Sequence, residues 1–104
     1  MDAYADGLHA LGDPTRRRLF ELIRDTGPAP VGGLAAELPV SRPAVSQHLR
    51  VLEGAGLVTC TKDGTRHLYS VDRDGLEELR RYLDGFWDDK LARFKRAAER
   101  SEDR

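Results

Sequence analysis

The stretch from Ser41 to Ser70, SRPAVSQHLRVLEGAGLVTCTKDGTRHLYS, leaves this chain few ways to fold. Ser41 offers a hydroxyl that can cap a helix N-terminus. Pro43 fits the first turn, where no intrahelical N–H bond is lost. Val45, Leu49 and Leu52 recur at helical spacing and define one apolar face. Arg42, Ser46, Gln47 and Arg50 fall mostly on the other side. Gly54 and Gly56 end the run, since glycine just past a helix adopts the left-handed C-terminal conformation at little cost. Leu57-Val58-Thr59 begins a strand, and Lys62 to Arg66 is a turn with Asp63-Gly64 at its centre. His67 to Val71 is the return strand, with Leu68, Tyr69 and Val71 suited to a half-buried pleated surface. The pattern predicts a helix, a glycine stop and a two-stranded hairpin.

A helix with short polar outward side chains, followed at once by a hairpin with cations at its tip, suits duplex DNA. The helix fits the major groove, and the tip reaches phosphates or the minor groove. At VSQHLRVLEGAGLV, at the basic turn KDGTRHLYSV, and upstream at LGDPTRRRLFELI, the sequence resembles the winged helix-turn-helix of the ArsR (arsenical-resistance repressor) family of bacterial regulators. The resemblance runs from about Leu8 to the last helix. It implies a mainly α fold with a small β-hairpin wing, in which N- and C-terminal helices form a dimer interface. The helix-turn-helix spans about 31–55, the wing about 57–71 and the C-terminal dimerisation helix about 72–100.

In order along the chain, residues 2–11 form a short helix carrying Tyr4, Leu8 and Leu11. Asp13-Pro14 starts the next helix, with Asp as cap and Pro at the first position; Leu19, Phe20, Leu22 and Ile23 are its apolar part. Arg16, Arg17 and Arg18 read as a solvated face. Thr26 to Pro30 is a rigid loop. Val31 to Leu38 is the first motif helix, with Leu34, Ala35 and Leu38 inward, and Pro39-Val40 turns into the second. From Asp72 to about Arg100, Leu76, Leu79, Leu83, Phe86, Trp87, Leu91 and Phe94 recur at three- and four-residue steps. A helix of that length, on the order of 40 Å at ~1.5 Å per residue, exceeds what the core of a small domain can cover. Tyr4, Leu8, Leu11, Leu79, Leu83, Phe86, Trp87, Leu91 and Phe94 are therefore the expected dimer surface.

A dimer of this type would set two recognition helices in successive major grooves of an inverted repeat. The expected base-edge contacts are Arg42, Ser46 and Gln47, with Arg50 nearer the phosphates. Gln pairs with adenine and Arg with guanine in bidentate fashion. Ser41 combines capping with a phosphate contact. Lys62, Thr65 and Arg66 at the wing tip contact phosphate or the minor groove. His48 divides between DNA and packing at the helix edge. His67 is a surface strand residue, and His9 belongs to the first helix.

A chain of 104 residues is one domain, 1–104, small enough that a partner subunit adds useful burial. No apolar run approaches the ~20 residues of a membrane span. The N-terminus MDAYADGLHA lacks a signal-peptide core, so a cytoplasmic protein is the simplest reading. The net charge of −1 argues against indiscriminate nucleic-acid binding. Residues 41–70 nonetheless set Arg42, Arg50, Lys62 and Arg66 against Glu53 and Asp63, a local positive excess that implies few phosphate contacts and a shallow salt dependence.

Many ArsR relatives sense metals. The stretch that matches one common site reads Pro30-Val31-Gly32, without a thiolate, and the last helix has Asp72, Asp74, Glu77, Glu78 and Asp84 but no histidine. No transition metal and no cofactor is expected. The single cysteine, Cys60, cannot form an intrachain disulfide or a multi-thiolate site. Paired with His48 or His67 it is the one conceivable nucleophile, but no glycine-rich elbow or orienting group accompanies it, so no catalysis is expected. A packed strand cysteine is the plainer role for it than redox sensing. The partners expected are double-stranded operator DNA and a second copy of the chain, with no membrane. The competing class is a winged-helix interaction module without specific DNA binding, which the near-neutral charge would suit.

Overall fold

The computed structural model describes the backbone of residues 3–102, and their side chains apart from 3, 4, 88–92, 101 and 102. The elements are α1 (Ala3–Leu11), α2 (Pro14–Thr26), β1 (Ala29–Pro30), α3 (Val31–Ala36), α4 (Arg42–Gly54), β2 (Val58–Asp63), β3 (Arg66–Val71) and α5 (Arg73–Glu102). The fold is mainly helical with a small antiparallel wing.

Caps set the helix starts. The Asp13 carboxylate accepts from the Arg16 backbone N–H at 2.8 Å, with Pro14 as the first helical residue. That hydrogen bond, together with the Arg16 charge, holds the Asp13 carboxyl below the usual carboxylate range. Ser41 Oγ accepts from the Ala44 N–H at 3.3 Å. Asp72 caps α5, its carboxylate accepting from the Asp74 and Gly75 N–H groups. Gly56 takes φ +76° just after α4 and turns the chain toward the wing.

The core lies between α2, α3, α4 and the base of the wing. Leu19, Ile23, Leu34, Val45, Leu49, Leu52, Leu57 and Val58 are its largest fully buried side chains. Val45, Leu49 and Leu52 form the inward face of α4 as the spacing required. Leu38 is buried, although α3 ends at Ala36 and Leu38 lies in the turn that follows. Val40 is half-buried against the core rather than enclosed.

The wing differs from the two-stranded hairpin expected. It is a three-stranded sheet in the order β1-β3-β2. Ala29 and Pro30 leave the loop to pair with Tyr69 and Leu68 of β3. Proline lacks an N–H and is confined to edge strands, and Pro30 occupies such an edge. A two-residue strand has no periodicity of its own, and only β3, about forty residues later, makes it one. The hairpin connection is also displaced by one residue. Asp63 pairs with Arg66, so Gly64 and Thr65 are the connectors, and Gly64 has φ +65°. A glycine leading a two-residue loop with positive φ matches the primed turns that suit the twist of a hairpin.

α5 starts against the α4–wing junction. The Asp72 N–H donates to the Leu57 carbonyl at 2.8 Å. Gly75 lies directly on the Gly56 carbonyl, where a Cβ would overlap the oxygen. α1 packs against the first part of α5, with Gly7 facing Leu79. Beyond that contact the helix leaves the domain, and the longest dimension of the molecule reaches 69 Å.

Gly75→Ala is expected to destabilise the fold by about 1–3 kcal/mol or more, because a backbone carbonyl cannot yield as a side chain does. Gly54→Ala, at a helical position with open space around it, should be neutral or gain up to about 1 kcal/mol. Urea unfolding of both variants tests the contrast; equal effects would remove the close approach from the account.

Candidate nucleic-acid interface

The Ser41 cap and the Val45-Leu49-Leu52 face fix the rotation of α4. Arg42, Gln47 and Arg50 are exposed as a result, and Ser46 is half-buried beside them. The Arg42 guanidinium lies near Gly32 of α3, where a Cβ would stand 3.8 Å from it. In the wing, the Asp63–Arg66 and Lys62–His67 pairs carry Lys62, Thr65 and Arg66 to the tip, and all three are exposed.

Among the described residues, Arg42, Arg50, Lys62 and Arg66 take part in no ion pair. The pairs present lie elsewhere, at Arg24–Asp25 and at Arg80 with Glu77 and Asp84. The cations of the helix and of the wing tip are thus not tied up in ion pairs among the described residues. Ser41 Oγ spends its acceptor on the cap and keeps its O–H for a partner.

His48 is half-buried, and its Nδ1 accepts from Arg16 Nε at 3.4 Å. With Nδ1 as acceptor, the ring proton of neutral His48 resides on Nε2. The structure therefore places this residue between α2 and α4. The same Arg16 donates to the Ala10 carbonyl at 3.3 Å, and Arg17 donates to the Leu11 carbonyl at 3.0 Å. The cluster read as a solvated face is divided. Arg16 and Arg17 bind the free carbonyls at the end of α1, a favourable place for cations, and Arg18 is exposed. Nothing in the local sequence separates these roles, because the acceptors come from α1 and α4.

On the face of the hairpin that also carries Lys62, Cys60 pairs across the strands with Tyr69, and its Sγ lies 3.5 Å from His67 Nδ1. Burial, followed by the neighbouring Cys60, pushes the Tyr69 phenol above its ordinary range. Among the described residues no group of three or more His, Cys, Asp or Glu is placed to hold a metal ion, and no helix is long and apolar enough to cross a membrane.

The expected dimer residues separate into two sets. Leu79 is 5% exposed and spent inside the protomer core, and Leu11 is half-buried against that core. The resemblance had grouped them with the partner surface because period alone does not tell a side chain covered by α1 from one left open. Leu8, Leu83, Phe86, Trp87 and Phe94 are exposed, the last two at 64% and 76%. Phe86 stacks edge-on with Tyr82 at 5.1 Å between ring centres. Tyr4 and Leu91 lie outside the described side chains.

A helix-turn-helix domain model matches residues 11–61. The HTH-type transcriptional regulator Rv2034 of Mycobacterium tuberculosis is 55% identical over 78 residues, covering 75% of this chain and 72% of that protein. The chain belongs to the ArsR family of winged helix-turn-helix transcriptional regulators. A crystal structure described as that of a possible transcriptional regulator for arsenical resistance is 48% identical, with a TM-score of 0.70 over 90% of this chain and 93% of that one. An ArsR-like transcriptional regulator from Rhodococcus sp. RHA1 is 32% identical, with a TM-score of 0.76 over 92% of each chain. These matches extend well past the helix-turn-helix, so the family likeness includes the wing and much of α5.

Arg16→Ala should cost about 1 kcal/mol of stability, the typical net value of a hydrogen bond lost from such an anchor. Arg18→Ala should stay within about 0.5 kcal/mol, as for an exposed surface residue. Thermal unfolding of the two variants distinguishes anchored from solvated arginine, and equal losses would overturn the assignment.

Proposed function

We propose that the protein is a homodimeric, cytoplasmic transcriptional repressor that reads an inverted-repeat operator. In this reading α4 of each subunit enters a major groove, the two helices roughly 34 Å apart, and the bound dimer occludes a promoter. The observation that carries it is the exposed cation set, Arg42, Arg50, Lys62 and Arg66, which outnumbers Glu53 and Asp63 on the same helix and wing and makes no ion pair among the described residues. Gln47 and Arg42 read base edges with Ser46 beside them. Arg50, Ser41, Lys62, Thr65 and Arg66 hold phosphates or reach the minor groove, and His48 holds α4 against α2.

The dimer reading rests on Leu83, Phe86, Trp87 and Phe94, a stripe too apolar and too exposed for an isolated helix. Charge supports an antiparallel pairing of the two α5 helices. Residues 74–89 carry Asp74, Glu77, Glu78, Asp84, Asp88 and Asp89 against Arg80 and Arg81. Residues 90–100 carry Lys90, Arg93, Lys95, Arg96 and Arg100 against Glu99. Antiparallel packing sets each acidic half against a basic half.

Fluorescence anisotropy with a fragment spanning the upstream region of the gene tests the DNA reading. Gln47→Ala or Arg42→Ala should each weaken specific binding by about 1–3 kcal/mol, the value of a bidentate base contact. Lys62→Ala should weaken all fragments alike and lower the salt slope by about one. Full affinity in both recognition-helix variants would remove the groove contact.

Sedimentation tests the dimer. Trp87→Glu is expected to give a folded monomer, and added salt should weaken the wild-type dimer by screening the two charged halves. A dimer unaffected by Trp87→Glu would place the interface elsewhere.

A further inference from the structure

A groove of about 370 Å³ opens where the end of α2, the Gly27-Pro28 loop, the end of β3 and the first turn of α5 meet. It is distinct from the recognition helix, the wing tip and the aromatic stripe of α5. Its size lies toward the lower end of small-molecule pockets, roughly 300–1,000 Å³. The lining has a divided character. Ile23, Pro28, Val71 and Leu76 are apolar, whereas Arg24, Arg73 and Ser70 bring two guanidinium groups and a hydroxyl.

The polar groups are not equally committed. Arg24 is already paired with its exposed neighbour Asp25 at 2.9 Å. Arg73 has no ion pair or side-chain hydrogen bond among the described residues, and the Ser70 hydroxyl has none either. The carboxylates close to Arg73 in sequence are engaged elsewhere or open to solvent. Asp72 caps α5, Glu77 faces Arg80, and Asp74 is exposed. Leu76, 37% exposed, adds apolar surface beside this free cation.

We propose that this groove binds a small amphipathic carboxylate, an aliphatic or aromatic acid. Its carboxylate is held by Arg73 and Ser70, and its apolar body lies against Pro28, Val71 and Leu76. Such a ligand would bridge α2, the return strand of the wing and the first turn of the helix that carries the dimer stripe. Occupancy would shift the wing relative to α5 and lower the affinity for DNA. The binding step stands by itself, and the regulatory step rests on the repressor reading.

The test titrates octanoate and benzoate into the isotope-labelled full chain without DNA, with octanol and benzyl alcohol as neutral counterparts. The expected result is saturable amide shifts at Gly27, Ser70, Val71, Arg73 and Leu76. Affinity should fall at least tenfold for the alcohols and for Arg73→Gln. If Arg73→Gln fails to fold, Ser70→Ala serves, with a several-fold loss expected. Absent shifts, shifts centred on Phe86 and Trp87, or equal binding by the variant would overturn the site. A second arm measures operator affinity with saturating acid. Binding in the groove with unchanged operator affinity would overturn the regulatory step alone. Absence of DNA binding without acid would count against the repressor reading, and the shift experiment would still decide the groove.

Discussion

The seat of α5 on the backbone between α4 and the wing is the contact on which the arrangement depends. Asp72 donates its N–H to the Leu57 carbonyl, and Gly75 lies on the Gly56 carbonyl with no room for a side chain. At that point the helix that bears the exposed aromatic stripe meets the segment that joins the recognition helix to its wing. An interior packed as densely as a crystal transmits displacement rather than absorbing it. In the proposed dimer, the separation of the two recognition helices would therefore be tied to this short run of backbone. Gly56 contributes twice, through the positive φ that turns the chain and through the carbonyl that receives α5.

A second set of ties holds α4 from the other side. Arg16 links the end of α1 to His48, and Arg17 binds the neighbouring carbonyl of Leu11. These arginines serve the scaffold, whereas Arg42, Arg50, Lys62 and Arg66 make no ion pair among the described residues. The near-neutral net charge conceals this division of labour. What a phosphate backbone meets is the local field, and a molecule of net charge −1 can still present an unneutralised cationic edge.

The apolar stripe of α5 follows the same separation by environment. Leu79 is covered by α1, and Leu83, Phe86, Trp87 and Phe94 are left open farther along one continuous helix. One period thus serves two environments, core within the protomer and exposed apolar surface beyond it. The groove at the start of α5 lies about one turn before Leu79, next to the wing strand that returns from the tip.

The sequence by itself determined the local elements. The caps at Asp13 and Ser41, the Val45-Leu49-Leu52 face, the glycine stop and the Asp63-Gly64 hairpin signal are all written within a few residues of where they act. The outward set Arg42, Gln47 and Arg50 was legible for the same reason, since one buried face settles the opposite one. Tertiary structure alone decided the third strand at Ala29-Pro30, the anchoring of Arg16 on α1 and His48, and the withdrawal of Leu79 into the core. It also decided that Gly75, outwardly an ordinary weak spot in a helix, is required by a carbonyl from another element. In each case the deciding atom belongs to a segment distant in sequence, and periodicity carries no record of which distant segment arrives.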